Sequence, residues 1–368
     1  MKQVVMRGGR LQVGEVPAPS PVPGSVLVAN LASVISSGTE RTAVTSGGGA
    51  APLPVRAVRN PELVRKALDH LRERGLRETL DLARGLTAPD AALGYSSAGL
   101  VVDTGGMPEF RPGELVACAG AGNANHAEVV LVSANLAATV PDGVTPRSAA
   151  FTTLGAIALQ GVRRAGPTLG ERVVVVGLGL LGLITVQLLR AAGCAVLGVE
   201  PVARRRELAL TLGAERTVAP GDARAAALEW TGGIGADAVV ITAASPSSEI
   251  VNQAVSMVRR KGRVVPVGEI GLELERAPLY QREADVLIST SYGPGRYDLS
   301  YEDAGIDYPL EYVRWTENRN MQEILRLLAT GALRVEPLIE LERPVARAAE
   351  AYAAVNGPER PDARARSA

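Results

Sequence analysis

The chain has 368 residues, of which 46% are apolar and 21% charged, with a formal net charge of zero. That length exceeds one ordinary core, so two globular domains are expected, and nothing in the balanced charge suggests nucleic acid or another polyanion as partner. Two cysteines, Cys118 and Cys194, are too few for a disulfide framework or a cysteine-rich zinc site, and each reads as a small buried hydrophobe.

Positive charge rests almost wholly on arginine; Lys2, Lys66 and Lys261 are the only lysines, which leaves little for Schiff-base chemistry. The start, MKQVVMRGGRLQV, lacks the apolar core of a signal peptide. The longest apolar run, Val173 to Leu189, is interrupted by Gly177, Gly179 and Gly182. It reads as a buried strand followed by a helix rather than a membrane span. A soluble, cytoplasmic protein acting on a small molecule, with no membrane partner, is the expectation.

In chain order, residues 1 to about 150 read as short strands: Gln3–Met6, Leu11–Val13, Ser25–Leu31, Ala98–Val102, Leu115–Ala119 and Ala127–Val132. RPGE at Arg111 and PDGV at Pro141 are turn signals. The segment Asn60 to Gly85 interrupts them with apolar residues at helical spacing, divided by Gly75, and predicts two short amphipathic helices. The glycine-rich stretch Ser46 to Pro54 before it is either a linker or a substrate lid. From about 155 to 290 the texture changes to short continuous apolar runs separated by helical stretches, Leu181–Ala192, Ala203–Leu212, Asp222–Trp230 and Glu249–Val258. Strands buried on both faces and alternating with helices predict a parallel sheet. Asn320 to Gly331 predicts a further helix with glycine past its end, and the tail GPERPDARARSA is expected to fray.

One stretch carries a complete dinucleotide-binding pattern. Val173–Val176 leads into Gly177-x-Gly179-x-x-Gly182, a helix follows, and a second strand, Ala195–Val199, ends in Glu200. Gly177 permits the tight turn, Gly179 lets the backbone approach a pyrophosphate, and Gly182 lets the helix pack on the strand. The helix start at Leu180 and Leu181 supplies unpaired N–H groups for the phosphates. Glu200 would accept hydrogen bonds from the adenosine ribose, which favours NAD. Arg204, Arg205 and Arg206 follow at once, and they would instead suit the 2′-phosphate of NADP or merely begin a solvated helix face.

A β-rich start, a late dinucleotide unit and a short return resemble the medium-chain dehydrogenase/reductase superfamily over nearly the whole length. Further stretches agree: DTGGMPEFRPGELVACAG from Asp103, SAAFTTLGAIALQGVRRAG from Ser148, GADAVVITAA from Gly235 and KGRVVPVGE from Lys261. The resemblance implies a GroES-like β-rich catalytic domain and a Rossmann doubly wound parallel-sheet cofactor domain, an α/β protein. It places the first in residues 1–154 and 292–368, with the helical insertion at about 60–85, and the second in 155–291. It further implies that Thr242, Ala243, Val267 and Gly268 lie beside the nicotinamide, and that the protein is a homodimer or homotetramer.

In zinc-dependent members the loop after the third strand carries a cysteine ligand; here it reads ISSGTER, with Ser37 at that place. The second ligand position falls at Tyr95 in LGYSSAG and the third at Thr153. Zinc takes thiolate, imidazole or carboxylate ligands, so the resemblance, with all three positions changed together, implies a zinc-independent member. Hydrogen-bond donors must then stabilise charge on the substrate oxygen. Thr39 matches the proton-relaying hydroxyl, Tyr95 replaces a ligand and offers a phenol, Glu40 offers a base and Ser37 another hydroxyl. Glu40 reads equally as the ion-pair partner of Arg41, and Tyr95 as an ordinary half-buried aromatic. His126 is either structural or a general base. Tyr292, Arg296, Tyr297, Arg314 and Trp315 cluster around Gly293-Pro-Gly295, as a polar substrate pocket or a surface loop.

The expected activity is hydride transfer between nicotinamide and a secondary alcohol or ketone of a sugar-like or polyol-like molecule. The alternatives are an NADPH-dependent enone or quinone reductase, a non-redox epimerase or dehydratase with retained NAD, and a cofactor-sensing protein without activity.

Overall fold

The structure is a computed structural model that describes residues 1–7, 10–36, 38, 90–356 and 365–367. The glycine-rich linker or lid at 46–54 and the helical insertion at 60–85 lie outside the described residues, as do Ser37, Thr39 and Glu40.

The β-rich start forms two sheets. Strands β1 (Lys2–Arg7) and β2 (Arg10–Glu15) make an antiparallel pair to which β4 (Asp90–Ala92) adds, while β3 (Ser25–Ile35) belongs to the larger sheet. That sheet continues through β5 (Ser96–Asp103), β6 (Leu115–Ala119) and β8 (Ala137–Thr139), with β7 (Val129–Ser133) on the other side of β3. β3 runs four residues beyond the expected end at Leu31, because Ala32, Val34 and Ile35 are also buried. Register shifts against β5 at Leu27/Val28 and Asn30/Ala32 let so long a strand curl.

Six parallel strands form the second large sheet: β9 (Arg172–Val176), β10 (Ala195–Val199), β11 (Arg216–Val218), β12 (Ala236–Ile241), β13 (Val258–Pro266) and β14 (Asp285–Val286). Their spatial order is β11-β10-β9-β12-β13-β14, so the order reverses between β9 and β12. Ligands of such doubly wound sheets bind at that reversal, outside the carboxyl ends of the strands. The VVVV run belongs to both sides of the sheet: Val173 and Val175 enter one apolar core and Val174 and Val176 another. A strand covered on both faces has no polar position to alternate with.

Helix α1 (Thr152–Ala165) joins the two large sheets. The core that takes Val173 and Val175 is continuous through α1 with Val26, Val116 and Ala138 of the antiparallel sheet. Around the parallel sheet lie α2 (Leu180–Ala191), α3 (Ala203–Thr211), α4 (Ala223–Trp230) and α5 (Glu249–Met257), each within two residues of its expected bounds. Helix α6 (Glu317–Ala329) starts a turn earlier than expected, because the Thr316 side chain accepts from the Arg319 N–H and caps it there.

Of the tail expected to fray, only residues 365–367 are among the described residues, and these form a strand. Residues of β16 (Ala365–Ser367) pair with β15 (Ile339–Glu342) on one side and with Val34 and Ile35 of β3 on the other. Two strands that would otherwise show bare edges gain a ladder from three residues. Among the described residues no helix is long and apolar enough to cross a membrane.

Candidate active site

The glycine pattern sits at the reversal between β9 and β12. Gly177 has φ +90°, and a Cβ there would stand 2.7 Å from the Ala243 nitrogen. At Gly182 a Cβ would stand 1.9 Å from the Gly177 carbonyl oxygen, so the start of α2 presses directly on the turn. Gly179 differs: nothing lies within 4 Å of where its Cβ would be. It is the N-cap of α2, no side chain caps the helix there, and no acid stands in its first turn. The open space at Gly179, at the uncapped start of a helix whose first N–H groups are those of Leu180 and Leu181, suits a pyrophosphate. These residues fit a dinucleotide.

Neighbouring strand ends complete the crevice. The Thr242 hydroxyl donates to the Gly177 carbonyl at 2.6 Å and holds the turn, and Ala243 packs against Gly177. Val267 and Gly268 both donate backbone N–H groups to the Ile241 carbonyl, at 2.8 and 3.0 Å. Glu200 lies at the end of β10 with 3% of its surface exposed. Its Oε2 accepts from the Leu178 N–H at 2.8 Å, and its Oε1 from the Val202 N–H at 3.2 Å and from Arg205 at 3.3 Å. All eleven expected cofactor residues thus gather at one end of the parallel sheet.

On the antiparallel side, Tyr95 occupies the bend between β4 and β5 and is 9% exposed. Its carbonyl accepts from the Gly120 N–H, just past β6. The Thr153 hydroxyl, in the first turn of α1, donates to the Cys118 carbonyl of β6 at 3.3 Å. Tyr95 and Thr153 therefore border the same end of β6. Burial pushes the Cys118 thiol up to about 12, which leaves it an inert apolar side chain at neutral pH.

His126 is fully buried, with Nδ1 paired to the Ser33 hydroxyl at 2.8 Å and its ring edge-on to Tyr352. Gly94, at φ +99°, lies so close that a Cβ would stand 2.6 Å from the His126 nitrogen. The His126 ring belongs to the packing between the small sheet and β3, and Gly94 is the residue that lets Tyr95 turn past it.

The five expected pocket residues separate into two groups. Tyr292 is buried, and Arg296 pairs with Glu302, which also accepts the Tyr297 N–H at 3.0 Å. Arg296 lies over both Tyr292 and Tyr297, and Tyr297 is exposed. Burial raises the Tyr292 phenol well above its usual range. Trp315 instead stacks with Arg314 and with Arg163 of α1, whose guanidinium carbon is 3.4 Å from the ring centre. Asn320 links the groups, accepting from Arg163 at 2.8 Å and donating to the Tyr292 carbonyl at 2.9 Å.

Sequence reasoning missed Arg163, Glu302, Asn320 and Glu317. Arg163 sits in a plain Arg-Arg pair at a helix end, and Glu317 reads as an ordinary first-turn acid. Nothing in their local pattern signals burial, and only the packing of α6 on α1 brings them together.

Residues 181–303 match the zinc-binding dehydrogenase family. The chain is 27% identical over 285 residues to D-guloside 3-dehydrogenase of Escherichia coli (strain K12), covering 74% of this chain and 75% of the relative. These likenesses support the resemblance to the medium-chain dehydrogenase/reductase superfamily read from the sequence. A second relative is 2-dehydro-3-deoxy-L-galactonate 5-dehydrogenase of Pseudoalteromonas atlantica. It is 27% identical over 223 residues, 59% of this chain and 57% of its own. Among solved structures, alcohol dehydrogenase TADH from Thermus sp. ATN1 superposes with a TM-score of 0.75 at 19% identity, over 100% of this chain and 99% of that one. Galactitol-1-phosphate dehydrogenase from Escherichia coli gives 0.73 at 17%, over 100% and 99%. Both share the two-sheet fold of this chain. The family match begins after Ser37, Tyr95 and Thr153, so it covers the cofactor half and none of the three metal-ligand positions.

Proposed function

We propose that the chain is a nicotinamide-dependent, zinc-independent oxidoreductase. It transfers hydride between the cofactor and a secondary alcohol or ketone of a polar, sugar-like or polyol-like substrate. In this division of labour residues 155–291 bind the dinucleotide, and residues 1–154 with 292–368 bind the substrate. The carrying observation is the open, uncapped α2 start at Gly179, joined through α1 to a wall that bears Tyr95 and Thr153. The two sugar-derivative dehydrogenases among the relatives support the substrate class.

The bound nicotinamide supplies or accepts the hydride. The protein's own groups must place the substrate oxygen and manage its proton. Among the described residues Tyr95 suits that role, with its phenol at the ligand position donating to the substrate oxygen. Thr39 and Glu40 are assigned to the same proton path by resemblance. Thr153 holds the wall in place, because its hydroxyl is spent on the Cys118 carbonyl. The donor set at these positions is neutral hydroxyl chemistry, which suits a hydrogen-bonded oxyanion better than zinc.

Tyr95→Phe is expected to lower kcat by about 10- to 100-fold, with the dissociation constant of the cofactor unchanged in a fluorescence titration. A variant with wild-type kcat would remove Tyr95 from the chemistry.

A further inference from the structure

We propose that Arg163, Arg314 and Trp315 form an anion subsite, so that the substrate carries a carboxylate or phosphate group at the end remote from its reacting carbon. The inference rests on the polyol reading above and names the substrate class within it.

The three side chains make one stack. The Arg163 guanidinium carbon stands 3.4 Å from the Trp315 ring centre, and that of Arg314 stands 3.8 Å from it. Two groups that close to one centre on the same face would overlap, so the indole lies between them. The ring attracts each cation, but the two charges repel across it. Burial lowers the Arg163 pKa to about 10, Glu323 partly offsets this, and Arg314 adds to the lowering.

Among the described residues no acid pairs with either guanidinium. Arg163 donates from Nε to Asn320 at 2.8 Å, and Arg314 makes only the ring contact. The Glu323 carboxylate is held at both oxygens by Arg326, at 2.9 and 2.8 Å. The other arginine of the expected pocket, Arg296, is balanced by Glu302. A lone exposed arginine is satisfied by water. A half-buried one facing a second cation lacks the partner that a buried charge needs. An anion at the indole edge would supply it, accepting from the guanidinium groups on either face and from the Trp315 N–H in the plane between them.

The stack borders the crevice. Arg163 lies two residues past Gly161, the position that Val267 closes. Arg164 donates to the Ile288 carbonyl at 3.0 Å, and Asn320 ties Arg163 to the Tyr292 carbonyl. Between those carbonyls the Ser289 N–H donates to the Pro266 carbonyl at 3.1 Å, at the end of β13 beside Val267. The chain leaving the carboxyl end of the sheet is thus fastened to the turn of α1 that bears Arg163. At about 3.6 residues per turn, Thr153, Ile157, Gln160 and Arg164 share one face of α1, and Arg163 flanks it. Thr153 lies about 15 Å away along the axis. An anion at the stack therefore belongs to the end of the substrate remote from an oxygen held near Tyr95.

Calorimetric titration of the full chain, loaded with whichever of NADH and NADPH it binds, tests this without turnover, because a reduced cofactor cannot oxidise an alcohol. The ligands are sorbitol, gluconate and sorbitol 6-phosphate, which share six carbons and differ in charge. Wild type is expected to bind at least one of the two anions about 10- to 100-fold more tightly than sorbitol, and the tighter of them tells carboxylate from phosphate. Arg314→Gln should remove that preference. Arg314→Lys, which keeps the charge and loses the planar stack, should keep part of it. Equal binding of all three ligands by wild type overturns the proposal and leaves the polyol reading standing. So does a preference that survives both Arg314→Gln and Arg163→Gln, which would place the anion elsewhere. If none of the three binds, the proposal and the polyol reading both fall.

Discussion

Glu317 is the residue whose surroundings depart furthest from its type. It is fully buried at the first position of α6, and neither carboxyl oxygen has a hydrogen-bond partner among the described residues. Burial first, and then the nearby Glu302, push its pKa up to about 9, against a partial offset from Arg296. The carboxyl is therefore protonated at neutral pH in the folded chain and ionised in the unfolded one. Between about 4.5 and 9 the folded state holds the extra proton, so stability falls as pH rises through that window. Glu317→Gln, which carries no ionisable group, is expected to raise stability by about 1–3 kcal/mol near pH 8. The gain should shrink toward nothing near pH 4, where wild type is protonated in the folded state and largely so in the unfolded one. Denaturant midpoints at the two pH values check it; an equal effect at both would mean that ionisation is not the cause.

At the scale of elements, α1 transmits position between the two sheets. Thr153 fastens its start to β6, and eight residues on, about 12 Å along the axis, Gly161 meets the cofactor crevice. A Cβ at Gly161 would stand 2.5 Å from a Val267 methyl, and one at Gly155 would stand 2.7 Å from Ile324 of α6. Gly161→Val should push Val267 toward the crevice and weaken cofactor binding about tenfold or more, read by fluorescence titration. Gly155→Val should act on stability instead, costing about 1–3 kcal/mol by overpacking, with cofactor affinity unchanged. If both variants lose affinity alike, α1 moves as one body and the separation of its two contacts is wrong.

For the whole molecule, one apolar core runs through both large sheets and α1, so binding at the parallel sheet should stabilise the entire fold. Cofactor at about 100 times its Kd is expected to add roughly 2.7 kcal/mol to stability, seen as a rise in Tm of a single transition. Prolonged dialysis against a chelator is expected to leave both Tm and turnover unchanged. Activity that disappears on dialysis and returns with zinc would put a metal back into the site and end the zinc-independent proposal.

The parallel sheet, the glycine turn and the helices that flank it were legible along the chain. Those depend on short-range rules: buried strands read as unbroken apolar runs, and the turn between β9 and α2 accepts little besides glycine. Val173 to Glu200 needed no tertiary information, and the resemblance to the superfamily followed from the order of such elements. What the polar residues touch depends instead on how distant segments pack. Glu200 looks like a free acceptor at a strand end, yet its oxygens already accept from amides and a guanidinium that belong to two different turns. His126 looks like a general base, yet packing closes it between Ser33 and Tyr352. Arg163 and Glu317 look like surface charges, and they are drawn inward because α6 docks on α1. A side chain's chemistry depends on the solvent and charge around it, and those are set by segments far away along the chain.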